Sequence, residues 1–224
     1  MDLTKTKATI LNAHTGNGWY PIGQKRLIRS LNYVGWAGLV TPCDSFPFDW
    51  AGPKTPYNIK AASLQFLIDN GYTHVFWADC SVWAINDPMR IFDIINEQGY
   101  FFWSSGYNAA QTCSDKCLEY FRVDRDTAET YQDVSTSVFG LNLENPTGRM
   151  LAERFIQASL DGIFEGSREH DNQSQDPRFL FHRQDQSVMT MLAGLNSLKI
   201  HEPGLVHYWQ KELPEETILT LRGI

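Results

Sequence analysis

Asp79 stands directly after His74-Val-Phe-Trp-Ala78, a nearly unbroken apolar run that reads as a strand covered on both faces. A carboxylate at the tip of such a strand is costly unless it is paired or binds a ligand. The same position also suits a cap of the turn that follows. A second chemical candidate is the turn Asn12-Ala-His-Thr-Gly-Asn-Gly18, whose glycines let backbone amides approach a nucleotide closely. Glycines also occur in strand-to-helix turns with no ligand, so both readings stand. Asp185 opens a predicted helix, where the peptide dipole favours a carboxylate; a structural first-turn role and a reactive role are compatible there. Lys60, taken alone, is one more solvated helix residue, and only its place ahead of the acidic strand draws attention to it. His201 and His207 lie in a late apolar stretch, the usual setting of structural histidines. Cys113 and Cys117 sit four apart with no second Cys/His pair at finger spacing, so a zinc site is not expected.

The elements that must position these residues alternate. Ala8–Ala13 reads as a strand, and Ile22, Leu27, Ile28, Leu31 and Val34 mark a helix. Gly38–Thr41 fits a second strand, followed by a Pro- and aromatic-rich loop from Pro42 to Pro56. Ala61, Leu64, Phe66, Leu67 and Ile68 mark the next helix, ended by Asn70-Gly71. After Asp79 a helix runs from Pro88 to Gln98. Asp133–Asn142 reads as one strand, Thr147–Leu160 as a helix, 166–177 as a surface loop of the length that lids have, and Asp185–Leu195 as a last helix. Strands alternating with helices predict an α/β fold with a mostly parallel sheet flanked by helices. Ligands then gather beyond the carboxyl ends of the strands.

The 224 residues suit a single domain, with a core over about 8–209 and a C-terminal tail over 210–224. Hydrophobic residues at 42% and charged residues at 20% exclude a disordered chain. The formal charge of −7 argues against a protein built to grip duplex phosphates, and Lys25, Arg26 and Arg29 read as the solvated face of a helix. No apolar run approaches membrane-spanning length, and the N-terminus lacks a signal-peptide h-region, so a cytoplasmic protein with reduced thiols is expected.

Order and motif together resemble the GT-A glycosyltransferases, glycosyltransferase family 8 among them. The shared features are a nucleotide loop, a helix with a basic residue, a Gly71-Tyr72 turn and an apolar strand ending in an acidic motif. A strand-then-helix segment around Ser135–Asn142, a His182-Arg-Gln-Asp-Gln-Ser187 element and a late His follow in the same order. The likeness spans roughly residues 8–209. It implies a single-domain, Rossmann-like GT-A fold and transfer of a hexosyl or pentosyl group from a nucleotide sugar, a UDP-sugar, to an acceptor hydroxyl. Asn12, Ala13, His14 and Thr15 would hold base and ribose. Lys60, Asp79, Cys80, Ser81, Ser137 and Gln186 would complete the donor site. Asp185 would deprotonate the acceptor or position the sugar. In the family an Asp-x-Asp motif holds a divalent cation; here the triplet is Asp79-Cys80-Ser81, and the second carboxylate is absent. Mn²⁺ or Mg²⁺ would then rest on Asp79 and His207, and weak metal dependence is expected. The acceptor (glycan, protein or modified nucleobase) is left open, and a sugar nucleotidyltransferase or a non-catalytic nucleotide- or carbohydrate-binding relative are the alternatives.

Overall fold

Side-chain alternation along two buried strands sets the architecture. In β1 (Ala8–Ala13), Ala8 and Ile10 face one core, whereas Leu11 and Ala13 face another. In β3 (His74–Ala78), Phe76 and Ala78 join the first, Val75 and Trp77 the second. The sheet is therefore apolar on both faces and needs a layer of helices on each. The computed structural model, which describes residues 6–47, 49–165 and 174–222, supplies them. On one face lie α1 (Trp19–Tyr33) and α3 (Met89–Gln98), through Leu27, Leu31, Ile91, Phe92 and Ile95. On the other lie α2 (Asn58–Asp69), α7 (Pro146–Leu160) and α8 (Asp185–Leu195).

The main sheet has the order β2-β1-β3-β8-β5, with β2 at Leu39–Cys43, β5 at Tyr100–Phe101 and β8 at Val138–Asn142. β2, β1 and β3 run parallel, while β8 is antiparallel to both its neighbours. A three-stranded sheet sets β10 (Leu219–Leu221) between β4 (Val82–Ala84) and β9 (Val206–Tyr208). The stretch expected as a C-terminal tail thus supplies a central strand, buried along Leu219, Thr220 and Leu221. β6 (Ser104–Asn108) pairs with β7 (Gln132–Val134), and three short helices, α4 (Ala109–Thr112), α5 (Asp115–Phe121) and α6 (Arg125–Glu129), connect them.

Two further expectations change. The single strand over 133–142 is two strands in different sheets, interrupted at Ser135-Thr136-Ser137. Ile22, one of the apolar positions that mark α1, is 68% exposed, and Gly23 takes the buried face with Leu27 and Leu31. A Cβ at Gly23 would run into the Cys80 carbonyl, so the glycine lets α1 close on the turn after β3. Residues 166–173 of the loop expected at 166–177 lie outside the described residues.

Candidate active site

The antiparallel placement of β8 brings its N-terminal end beside the C-terminal end of β3: Val138 pairs with Ala78, and the Asp79 amide donates to the Ser137 carbonyl at 2.8 Å. Asp79 lies two residues beyond Trp77 and so shares its face of the sheet. The Trp77 indole N–H donates to Asp79 Oδ1 at 2.7 Å. That face is covered by α2, whose third residue is Lys60. The Lys60 side chain is 10% exposed and its ammonium donates to the Thr136 carbonyl at 2.8 Å. It pairs with Asp185 Oδ2 at 2.8 Å and Asp79 Oδ1 at 3.3 Å. The Thr136 hydroxyl also donates to Asp185 Oδ2, at 2.7 Å. The Trp77 ring lies 5.2 Å from the ammonium.

One buried ammonium between two carboxylates decides the electrostatics. Burial disfavours the Lys60 cation, but Asp185 and then Asp79 more than offset it, and its pKa stands above the ordinary lysine value of 10.5. Burial pushes the Asp79 carboxyl above its usual 3.8; Lys60 pulls it back, Asp185 adds to the rise, and Trp77 opposes it. Asp185 is enclosed, with a side chain 4% exposed, whereas the Asp79 side chain is 34% exposed. The pair is asymmetric: Asp185 is held among protein donors, and Asp79 presents itself to the solvent side of the strand end.

The turn 79–81 is clamped from α1. The Arg26 guanidinium donates to the Cys80 carbonyl at 3.2 Å and the Ser81 carbonyl at 2.8 Å, and lies 4.3 Å from the centre of the Trp83 ring. Sequence reasoning placed Arg26 on a solvated face and missed this, because nothing in helical spacing announces a carbonyl partner 54 residues away. The roles of Thr136 and of the Trp77 N–H were missed for the same reason.

The remaining expected site residues divide. Asn12 is fully buried and bridges strand ends, its amide donating to the Ala78 carbonyl at 2.6 Å and its Oδ1 accepting from the Cys80 thiol at 3.5 Å. Burial raises the Cys80 pKa to about 11, keeping it a thiol. Ala13 is buried and Thr15 exposed. His14 is 7% exposed, its Nδ1 has no hydrogen-bond partner, and its ring stacks near Tyr20 at 6.2 Å. Ser137 lies next to Asp79, whose amide its carbonyl accepts from. Gln186 turns inward instead: its amide donates to Asp133 Oδ2 at 2.5 Å and its Oε1 accepts from Arg183 at 3.3 Å. His207 lies on β9, with Nδ1 against the Tyr208 carbonyl at 2.9 Å.

The strand end offers few protein ligands for a divalent cation. Among the described residues no group of three or more His, Cys, Asp or Glu converges as metal ligands do. Asp79 Oδ1 is already engaged by Trp77 and Lys60, and position 81 offers a hydroxyl where a hard cation favours a carboxylate. No helix among the described residues is long and apolar enough to cross a membrane.

No protein-family model and no curated protein matches the sequence. Solved structures match in fold. A glycosyltransferase involved in the glycosylation of the major capsid of PBCV-1 superposes with a TM-score of 0.52 at 10% identity, covering 96% of this chain and 92% of that one. Mouse xyloside xylosyltransferase 1, in its apo form, gives 0.53 at 12% identity, covering 96% and 97%. The chain thus has the α/β fold of GT-A-like glycosyltransferases, with a mostly parallel sheet between helical layers.

Proposed function

We propose that this protein transfers a glycosyl group from a nucleoside-diphosphate sugar, a UDP-sugar, to an acceptor hydroxyl. The observation that carries the reading is the half-open Asp79 carboxylate at the end of β3, backed by buried Lys60 and Asp185, in a fold shared with glycosyltransferases. Asp79 is the residue that meets donor hydroxyls, which its carboxylate accepts from. Lys60 and Asp185 act as positioning residues, since their charged atoms are taken up by each other and by Thr136. The leaving diphosphate needs fixed positive potential. The 14–18 turn supports this by leading directly into α1, whose N-terminus no side chain caps. The poor ligand set supports a reaction with weak dependence on divalent cations.

The experiment measures nucleoside diphosphate released from UDP-, GDP- and CDP-sugars, with Mn²⁺ and after dialysis against chelator. Release from a UDP-sugar that changes little on chelation is expected. No release from any donor under either condition would leave a binding relative, and complete loss on chelation restored by Mn²⁺ would overturn the weak-metal reading. A sugar nucleotidyltransferase would instead convert a nucleoside triphosphate and sugar phosphate to pyrophosphate and nucleotide sugar.

A further inference from the structure

The Ser135-Thr136-Ser137 break has two sides. Thr136 faces Lys60 and Asp185, whereas Ser135 and Ser137 share the other side, their hydroxyls 2.9 Å apart. Burial raises the Tyr208 pKa and Arg183 opposes the rise; the Trp103 carbonyl accepts from the Ser135 amide at 2.9 Å, which ties this side to Tyr208. Tyr208 is 47% exposed, and the ring of fully buried Trp103 backs it at 5.3 Å. Tyr107 is 39% exposed and meets the Phe181 ring edge-on at 5.5 Å. That same ring carries the Arg183 guanidinium at 5.4 Å. The Ser137 carbonyl accepts from the Asp79 amide, which sets this segment beside the candidate active site.

We propose that Tyr208, Tyr107, Arg183 and the Ser137 hydroxyl form a saccharide-binding platform beside Asp79, so that the acceptor is a sugar ring. The proposal rests on the glycosyl-transfer reading and names its acceptor class. A sugar has an apolar face of C–H groups and a rim of hydroxyls. It calls for a rigid aromatic surface with donors and acceptors at its edge. Tyr208 and Tyr107 supply the first; Arg183 donors and the Ser137 hydroxyl, both donor and acceptor, supply the second. A nucleobase would also stack here, but its strand carries phosphates, and Arg183 is the one cation in this set on a chain of net charge −7.

Saturation-transfer NMR tests this without a donor, using xylotriose, cellotriose and AMP as probes. The expected result is transfer to ring protons of a trisaccharide, about tenfold weaker in Tyr208→Ala and in Arg183→Ala, as loss of a binding anchor gives. Binding should persist in Tyr33→Ala on α1, a 92% exposed residue outside the platform. Arg183 is exposed, so its variant carries the test if Tyr208→Ala fails to fold. No transfer to either trisaccharide, transfer undiminished in Arg183→Ala, or transfer to AMP alone would overturn the platform. Failure here leaves diphosphate release intact, whereas failure of the glycosyl-transfer reading abolishes release and leaves saccharide binding standing.

Discussion

Asp133 and the Asp79–Asp185 pair are both carboxylate centres beside the same hydroxyl-rich segment, yet their partners differ in kind. Asp133 is fully buried and accepts from the hydroxyls of Ser105, Thr112 and Thr190 and from the Gln186 amide. Burial pushes its carboxyl upward, and these neutral donors pull it back. Around Lys60 the compensation is ionic, and Asp79 stays 34% exposed. Neutral donors close a carboxylate off on all sides and tie α8 to β6 and β7. An ammonium shared by two carboxylates holds both in place and still leaves Asp79 open. The first arrangement is a structural joint, and the second can do chemistry.

Removing the shared cation breaks this comparison most strongly. Lys60→Met leaves two carboxylates facing each other and is expected to cost about 3–5 kcal/mol of stability, read as a lowered melting temperature. Adding Asp185→Leu should recover part of that loss, because fewer uncompensated charges remain. The pH dependence has a definite sign. The Lys60 pKa is raised above 10.5, so its stabilisation is complete below 10.5 and disappears as pH rises through the folded value. The gap between wild type and Lys60→Met should therefore close in strong alkali. A gap constant with pH would show that packing, not charge, sets it.

The closed centre responds in stability alone. Asp133→Ala leaves buried donors without their acceptor, at about 1–3 kcal/mol, while nucleoside diphosphate release stays near the wild-type rate. A large fall in release with little change in melting temperature would reverse the assignment of the two centres.

The smallest effect concerns thiols. Cys80 is 3% exposed with its pKa pushed up to about 11, and Cys113 and Cys117 are fully buried. Cys43 is half-buried. Iodoacetamide at pH 8 should label Cys43 first and the other three at least about tenfold more slowly, since the thiolate is the nucleophile. Labelling of Cys80 as fast as Cys43 would mean that Arg26 does not hold the 79–81 turn closed.

Much of the fold was legible because it rests on local pattern. The Asp185–Leu195 helix, the Asn70-Gly71 stop and the His74–Ala78 strand follow from periodicity and turn chemistry. The break at Ser135-Thr136-Ser137 was not, because alternation continues through it and the cause is tertiary: the Thr136 carbonyl faces Lys60 and the Ser137 carbonyl faces the Asp79 amide. Similarly, Asp79, Lys60 and Asp185 could be singled out one by one, but nothing in their spacing says that they form one ion-paired cluster. Gln186 shows the reverse. A motif suggested a sugar contact, and a buried Asp133 fifty-three positions away draws its amide inward.

The most direct test of the central claim is Asp79→Asn, which keeps the size of the side chain and removes its charge. Because folding raises the Asp79 pKa, the charged form gains no stability from the fold at neutral pH, and the variant should melt close to wild type. Release of nucleoside diphosphate from a UDP-sugar should nevertheless fall by about 10²-fold or more, as loss of a charged transition-state contact does. Near-normal release from a well-folded Asp79→Asn variant would contradict the account.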